Sequence, residues 1–203
     1  FLYMSKLPHC KKILNIKTTG EQKIFNKDYH YNRYEATSYN VLTTLLHNYK
    51  FKPTDTIVDF GCGKGRLNFY FNYYAKCHTV GIEMNSFFYQ QAQINKTTYQ
   101  AKHKKQLSFI SFENCFAEEY EINSQENIFY FFNPFSVQIF QKVLNNIINS
   151  VQTTPRPITL ILYYPDIDYI NHLENTAFSL LQEIKIEPNY HQDSRNTFLI
   201  YTM

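Results

Sequence analysis

The chain has 203 residues, 44% of them hydrophobic, which is enough to bury one substantial core and makes a single domain the first expectation. Its formal net charge is only +3 and its basic residues are scattered, so charge alone indicates no nucleic-acid partner. No apolar run approaches the roughly 20 residues of a transmembrane helix, and the four cysteines have neither a CxxC pair nor metal-ligand spacing, so no membrane span, metal site or disulfide framework is indicated.

Residues 1–33 are polar and show no sustained hydrophobic period. We therefore expect an irregular N-terminal extension, followed by a single domain at 34–203. From Glu35 to Tyr49 apolar residues recur every three or four positions, which predicts an amphipathic helix that Pro53 closes.

Beyond Pro53, short apolar runs alternate with helical stretches, a pattern typical of βαβ units around a parallel sheet. Strands are predicted at 56–60, 79–83, 107–112, 128–132 and 158–163, and helices at 64–75, 86–102, 136–150 and 166–175. Two more strand-like runs, 180–187 and 197–202, are joined by a polar turn without room for a helix and should pair antiparallel. The expected fold is α/β, Rossmann-like and doubly wound, with a mostly parallel seven-stranded sheet and an antiparallel C-terminal strand pair.

Three of the five glycines, Gly61, Gly63 and Gly65, fall directly after the first predicted strand. Glycine permits positive φ and close approach of another group, so a strand, Gly-x-Gly-x-Gly and a helix form a turn on which a ligand can rest. Asp59 precedes this turn, where its charge would repel a pyrophosphate but suit an ammonium group. The third glycine also comes one residue sooner than in Gly-x-Gly-x-x-Gly, which disfavours a nicotinamide dehydrogenase. A tight turn without a ligand remains the alternative for the glycines alone.

Residues 58–66 resemble the first motif of class I S-adenosylmethionine-dependent methyltransferases, and the resemblance covers most of residues 34–202. It implies methyl transfer with S-adenosylmethionine as the cofactor. It also implies that Glu83, about 20 residues after the glycine turn, accepts hydrogen bonds from both ribose hydroxyls, as a carboxylate with two oxygens can. The cofactor-binding residues implied in this way are Asp59, Gly61, Cys62, Gly63, Gly65, Glu83, Met84, Phe116, Ala117 and Asn133.

Cys115-Phe116-Ala117 follows the third predicted strand, where family members commonly carry Gly-Asp-Ala and the Asp meets the adenine amino group. Because no acid stands at that position here, we expect backbone groups and Phe116 to hold the adenine. The alternative is that Phe116 is a core residue.

Asn133-Pro134-Phe135 follows the fourth predicted strand and resembles the Asn-Pro-Pro-Tyr motif of methyltransferases that modify amide or base nitrogens. The resemblance implies that these three are the catalytic residues. The Asn oxygen and the Pro carbonyl would accept hydrogen bonds from the target amine while the ring stacks on it, so that alignment supplies most of the catalysis. The chain departs from the pattern in having one proline and Phe in place of Tyr. A strand end followed by a helix start is the alternative.

Four further residues are candidates for substrate contacts. Tyr34 and Thr37 stand at the start of the leading helix, and Tyr163 and Tyr164 end the fifth predicted strand at the edge where ligands bind in open α/β sheets. The alternatives are N-capping of the helix by Thr37 and simple packing of the two tyrosines.

The methyl acceptor is left open by the sequence. N-methylation of an RNA base or a protein side chain is the leading interpretation, and a small-molecule methyltransferase or a non-catalytic S-adenosylmethionine-binding module are the alternatives. Nothing at the N-terminus reads as a signal peptide, so a reducing, cytoplasmic setting is expected, with neither a membrane nor a metal partner. The oligomeric state stays open.

Overall fold

The structure is a computed structural model that describes residues 7–20, 31–32, 35–104 and 108–203. Its helices are α1 (Leu7–Leu14), α2 (Tyr39–Asn48), α3 (Arg66–Tyr74), α4 (Ser86–Lys102), α5 (Val137–Thr153) and α6 (Ile167–Leu173). Its strands are β1 (Thr56–Phe60), β2 (His78–Ile82), β3 (Ile110–Glu113), β4 (Ile128–Phe132), β5 (Thr159–Tyr163), β6 (Ser179–Lys185) and β7 (Thr197–Thr202). Short 3₁₀ turns lie at Ala117–Glu119 and Asn189–His191.

The seven strands form one sheet in the order β3-β2-β1-β4-β5-β7-β6. Strands β1 to β5 run parallel to one another, and β7 runs antiparallel to both β5 and β6. The order reverses at β1, since β2 lies on one side of it and β4 on the other. This is the topological switch point, outside whose strand carboxyl ends open α/β sheets bind their ligands.

Hydrophobic side chains cover both faces of the sheet, as a parallel sheet requires. Helices α1 to α4 contribute Leu14, Leu42, Phe69 and Tyr99 to the core on one face. Helices α5 and α6 contribute residues such as Phe140 to the core on the other. The central strands are buried on both faces, which explains their continuously apolar sequences.

The sheet and its antiparallel C-terminal pair confirm the expected α/β fold. The predicted strands 56–60, 128–132 and 197–202 match to the residue, and the other elements agree within a few residues at their ends. The N-terminal extension differs from the expectation, because residues 7–14 form a helix rather than irregular structure. Among the described residues, every helix is too short or too polar to cross a bilayer.

Candidate functional site

The glycine turn after β1 is a compact loop held by backbone hydrogen bonds. The amides of Gly61 and Cys62 both donate to Ile82 O, at 2.9 and 3.0 Å, which ties the turn to the end of β2. Gly61, Gly63 and Gly65 have φ of 79°, 54° and 79°, all in the left-handed region that favours glycine. Three left-handed residues in five explain why the sequence concentrates its glycines here.

A cavity of about 300 Å³ opens beside this turn at the carboxyl ends of β1, β2 and β4. It lies at the topological switch point and at the lower end of the size range of small-molecule pockets. Its lining residues are Tyr31, Asn32, Glu35, Ala36, Thr37, Asp59, Gly61, Cys62, Arg66, Leu67, Ile82, Glu83, Met84, Asn85, Phe88, Cys115, Ala117, Tyr130, Phe132, Asn133, Pro134 and Phe135.

Asp59 is a buried acid that lines the cavity, with 5% of its surface exposed. Among the described residues, none donates a hydrogen bond to its carboxylate and no cation forms an ion pair with it. Burial, and second the nearby charge of Glu83, raise the pKa of Asp59 from 3.8 to about 8. A cationic group in the cavity would relieve this unfavourable burial, so the site is complementary to an ammonium or sulfonium ion.

Glu83 follows the last residue of β2 and bridges two backbone segments. Its Oε2 accepts the N–H of Gly63 and its Oε1 accepts the N–H of Asn85, both at 2.8 Å. Burial raises the pKa of Glu83 to about 6, an effect that these two hydrogen bonds oppose. Each carboxylate oxygen keeps a second lone pair for a hydroxyl on the cavity side.

Asn133 follows the last residue of β4 with a left-handed backbone, φ 39°. It lines the cavity with Pro134 and Phe135, and no described residue makes a hydrogen bond with its side-chain amide. The carbonyl of Pro134 already accepts the N–H of Asn32 at 2.9 Å, so one of its two lone pairs is used. Phe135 is only 2% exposed, and its ring packs against Tyr31 and Phe131.

The structure brings most of the predicted site residues to one cavity. Of the cofactor-binding set, those that line it are Asp59, Gly61, Cys62, Glu83, Met84, Ala117 and Asn133. Gly63 and Gly65 are not among the lining residues. Gly63 binds Glu83, and a Cβ on Gly65 would meet the Phe112 ring at 2.6 Å, so close packing explains that glycine.

Phe116 lies outside the cavity lining, 41% exposed, with its ring 6.0 Å from that of Tyr31. It is therefore not the core residue of the alternative interpretation, and its contact with adenine stays a prediction. Ala117 and Cys115, its neighbours, do line the cavity.

The predicted substrate residues are divided. Thr37 lines the cavity and binds Tyr130 Oη at 3.0 Å, while Ser38, not Thr37, caps α2. Tyr163 is buried against Phe132 and Phe198 and is not among the lining residues.

Tyr164 also lies outside the cavity, where it donates to Asp193 and packs under the Arg195 guanidinium. Tyr34 lies outside the described residues. The acceptor roles of Tyr34, Tyr163 and Tyr164 stay predictions.

Several lining residues were not predicted. Arg66 follows the glycine turn and donates to the backbone carbonyls of Ala36 and Thr37, at 3.2 and 3.1 Å, so its guanidinium fastens the lining segment that precedes α2. Tyr31 and Asn32 come from the N-terminal extension, where no periodic pattern marks them. Arg66 directly follows Gly65 in the sequence, and this position beside the glycine turn could have indicated that it lies at the cavity.

The residues fit the S-adenosylmethionine that the sequence resemblance implies. Asp59 offers a buried, unpaired carboxylate for a cationic ligand, and Glu83 offers two acceptor oxygens. Gly61 lets Pro134 pack against the glycine turn, since a Cβ there would lie 2.9 Å from Pro134 Cβ, so the turn and the Asn133-Pro134 segment line the same cavity. No group of three or more potential metal ligands occurs among the residues that the structure describes.

Comparison with known families gives one match, to a family model described as a methyltransferase domain, over residues 35–132. The matched segment includes the glycine turn and Glu83 and ends one residue before Asn133. A search of curated proteins finds no significant match.

Solved structures with a similar fold include several methyltransferases. An RNA methyltransferase from Salinibacter ruber, in complex with S-adenosyl-L-homocysteine, has 16% identity and a TM-score of 0.55 over 83% of this chain and 92% of its own. A methyltransferase from Thiobacillus denitrificans with the same ligand has 10% identity and a TM-score of 0.55 over 81% and 90%. The m1A22 tRNA methyltransferase TrmK of B. subtilis has 12% identity and a TM-score of 0.57 over 83% and 66%. At these identities the likeness shows the fold.

Proposed function

We propose that this chain, which carries an S-adenosylmethionine-dependent methyltransferase domain, transfers the methyl group to a nitrogen, with an RNA base as the acceptor. The observation that carries the proposal is the free side-chain amide of Asn133, which lines the same cavity as Asp59 and Glu83. Its Oδ1 is available to accept a hydrogen bond from an N–H of the acceptor.

The described residues can bind the methyl donor and align the acceptor nitrogen with it. S-adenosylmethionine, when bound, supplies a methyl group made electrophilic by the sulfonium. Asp59 and Glu83 would hold it through its cationic and ribose groups, respectively. Asn133 would orient the lone pair of the acceptor nitrogen, so that alignment accounts for most of the rate enhancement.

An RNA base as the acceptor is supported by the kind of proteins that share the fold. The similar solved structures include an RNA methyltransferase and tRNA methyltransferases, one of them described as an m1A22 tRNA methyltransferase. A nucleic-acid base is planar, and its edge carries hydrogen-bond donors and acceptors that an asparagine amide can recognise.

One observation favours a second candidate, a small amine that binds as a cation and loses a proton to solvent before its lone pair accepts the methyl group. Three carboxylates line the cavity, those of Glu35, Asp59 and Glu83. Among the described lining residues Arg66 is the one Lys or Arg, and its guanidinium donates to backbone carbonyls. In their ionised forms these carboxylates would attract a cation into the cavity and disfavour a phosphate group there.

Tritium transfer from labelled S-adenosylmethionine into fractionated cell extract tests the proposal. Label in the RNA fraction, with transfer that falls steeply as salt is raised, is expected for an RNA acceptor. Label in the metabolite fraction with little salt dependence would favour the amine. Asn133→Ala should lower transfer about a hundredfold, to a rate that can still be measured, while S-adenosylhomocysteine still binds in calorimetry, and Asn171→Ala, an exposed asparagine on α6, serves as the control.

A further inference from the structure

We propose that Asn32 is a positioning residue for methyl transfer. It would fix the backbone of Asn133 and Pro134, and thereby the direction of the Asn133 side chain at the cavity. The inference rests on the acceptor role proposed above for Asn133.

Asn32 binds two consecutive carbonyls of the segment after β4. Its side-chain Nδ2 donates to Asn133 O at 2.7 Å, and its backbone N–H donates to Pro134 O at 2.9 Å. The two residues are separated by about a hundred positions in sequence, so the contact is a tertiary one. One residue thus ties down both peptide groups that follow the last strand residue.

The backbone of Asn133 needs such a tie. Its φ of 39° is left-handed, a conformation that disfavours a residue with a side chain, although asparagine tolerates it best. Without the two hydrogen bonds, Asn133 would gain by relaxing toward an extended conformation, and its Cβ would then point elsewhere. The bonds from Asn32 favour the conformation in which Asn133 lines the cavity.

Asn32 is itself held in place by its neighbour. Tyr31 forms an antiparallel bridge with Phe135, and its ring packs against Phe116 at 6.0 Å and Phe135 at 5.8 Å. The Tyr31 hydroxyl donates to Glu118 Oε2 at 2.7 Å. These contacts join the segment after β3 to the segment after β4 and fix the position of Tyr31, the residue before Asn32.

The same hydrogen bond restricts how an acceptor can approach. One lone pair of Pro134 O accepts the N–H of Asn32, so a second donor can approach this oxygen only along the other lone pair. An amine bound between Asn133 Oδ1 and Pro134 O would therefore have one orientation. Asn32 contributes to that selection although it need not touch the acceptor.

Two substitutions test the proposal, each measured by a structural and a kinetic readout. Asn32→Ala removes the side chain, and Asn32→Asp keeps its size but removes the amide donor. The structural readout is the NMR signal of the Asn133 side-chain amide, assigned by its loss in Asn133→Ala. The kinetic readout is the single-turnover rate of tritium transfer into the RNA fraction of cell extract, with Asn171→Ala as control.

Both Asn32 variants should move the Asn133 signal and lower the transfer rate about tenfold, the effect expected from loss of one positioning hydrogen bond. S-adenosylhomocysteine affinity should stay within about threefold in calorimetry, because Asn32 makes no bond to Asp59 or Glu83. In the Asn133→Ala background, adding Asn32→Ala should cost nothing more, since the residue acts through Asn133.

An unmoved Asn133 signal in both variants overturns the proposal whatever the rates. An equal loss of rate with and without Asn133 also overturns it, because Asn32 would then act independently. If instead Asn133→Ala keeps full transfer, the acceptor role of Asn133 fails first, and the positioning role falls with it. If the Asn133 amide signal nevertheless shifts in the Asn32 variants, the contact between Asn32 and Asn133 is real and only the acceptor role of Asn133 is wrong.

Discussion

The Glu83 carboxylate accepts the backbone N–H of Gly63 at 2.8 Å, so the acid at the end of β2 and the glycine turn after β1 form one unit. Its second oxygen holds the N–H of Asn85, the N-cap residue of α4. A single side chain therefore connects the ligand turn, the strand end and the following helix. Cofactor affinity and local order are coupled at this residue.

Glu83→Gln should weaken S-adenosylhomocysteine binding about 10- to 100-fold, because one acceptor oxygen becomes an NH₂ that faces a backbone N–H or a ribose hydroxyl. Isothermal calorimetry measures the change. Glu113→Gln is the matched control, since Glu113 is the register partner of Ile82 at the end of β3, exposed and outside the cavity lining. Equal affinities in wild type and Glu83→Gln would contradict a ligand role for this carboxylate.

Asp59→Asn should stabilise the ligand-free protein by about 2 kcal/mol while it weakens cofactor binding, because at neutral pH the buried Asp59 must take up a proton on folding, whereas an uncharged amide need not. Asp55→Asn gives the contrast. Asp55 is also buried, but its two oxygens accept hydrogen bonds from Lys52 N–H and Asn127 Nδ2, so the same change should destabilise. Urea unfolding measures the free energy of unfolding of both variants. An Asp59→Asn variant that is less stable than the wild type would contradict the prediction.

The raised pKa of Asp59 gives ligand-free stability a defined pH dependence. The folded state holds a proton up to about pH 8, whereas the unfolded Asp loses it near 3.8. Between these values the unfolded state binds fewer protons, so the free energy of unfolding should fall as pH rises. Asp59→Asn should flatten this slope, which thermal unfolding between pH 5 and 8 measures. If the pH dependence of stability were the same in Asp59→Asn, groups other than Asp59 would be its cause.

Cofactor binding should show the opposite trend. The carboxylate form of Asp59 is the one that attracts a cation, so S-adenosylhomocysteine affinity should increase as pH rises toward about 8, with release of a proton on binding. Calorimetry in buffers of different ionisation enthalpy measures that proton. Binding without proton release at neutral pH would mean that Asp59 is already ionised in the free protein.

Much of the fold was predictable because the signals for it are local. The strands at 56–60 and 128–132 are buried on both faces, and such strands must be apolar without interruption, so their limits can be read directly. Helix α1 was missed because its eight residues lie in a polar segment and contact α2 and α3 only in the folded chain. Local periodicity carries no information about that packing.

The site divides in the same way. Asp59, the glycines and Glu83 follow strand ends, so sequence position alone predicts that they meet at one sheet edge. Asn32 reaches Asn133 from the N-terminal extension, and no pattern in its own neighbourhood indicates that contact. The hydroxyl of Thr37 turns to Tyr130 because Ser38 already caps the helix, a choice between neighbours that capping preferences do not decide.

Gly61→Ala should reduce both stability and methyl transfer, and a second glycine provides the control. Gly61 has φ 79°, and an added Cβ would lie 2.9 Å from Pro134 Cβ. Because the proline ring is rigid, the strain must move Pro134 and with it the neighbouring Asn133. We expect a loss of about 2 to 3 kcal/mol in urea unfolding, from left-handed strain plus the contact.

Gly20→Ala separates the two causes. Gly20 has φ 108°, yet its added Cβ would meet only the flexible end of Lys64, at 3.5 Å. That variant carries backbone strain alone and should lose about 1 kcal/mol with its transfer rate unchanged. Since only Gly61→Ala presses on Pro134, a drop in transfer confined to that variant would tie the position of the Asn133-Pro134 segment to activity. An equal drop in both would attribute the loss to stability instead.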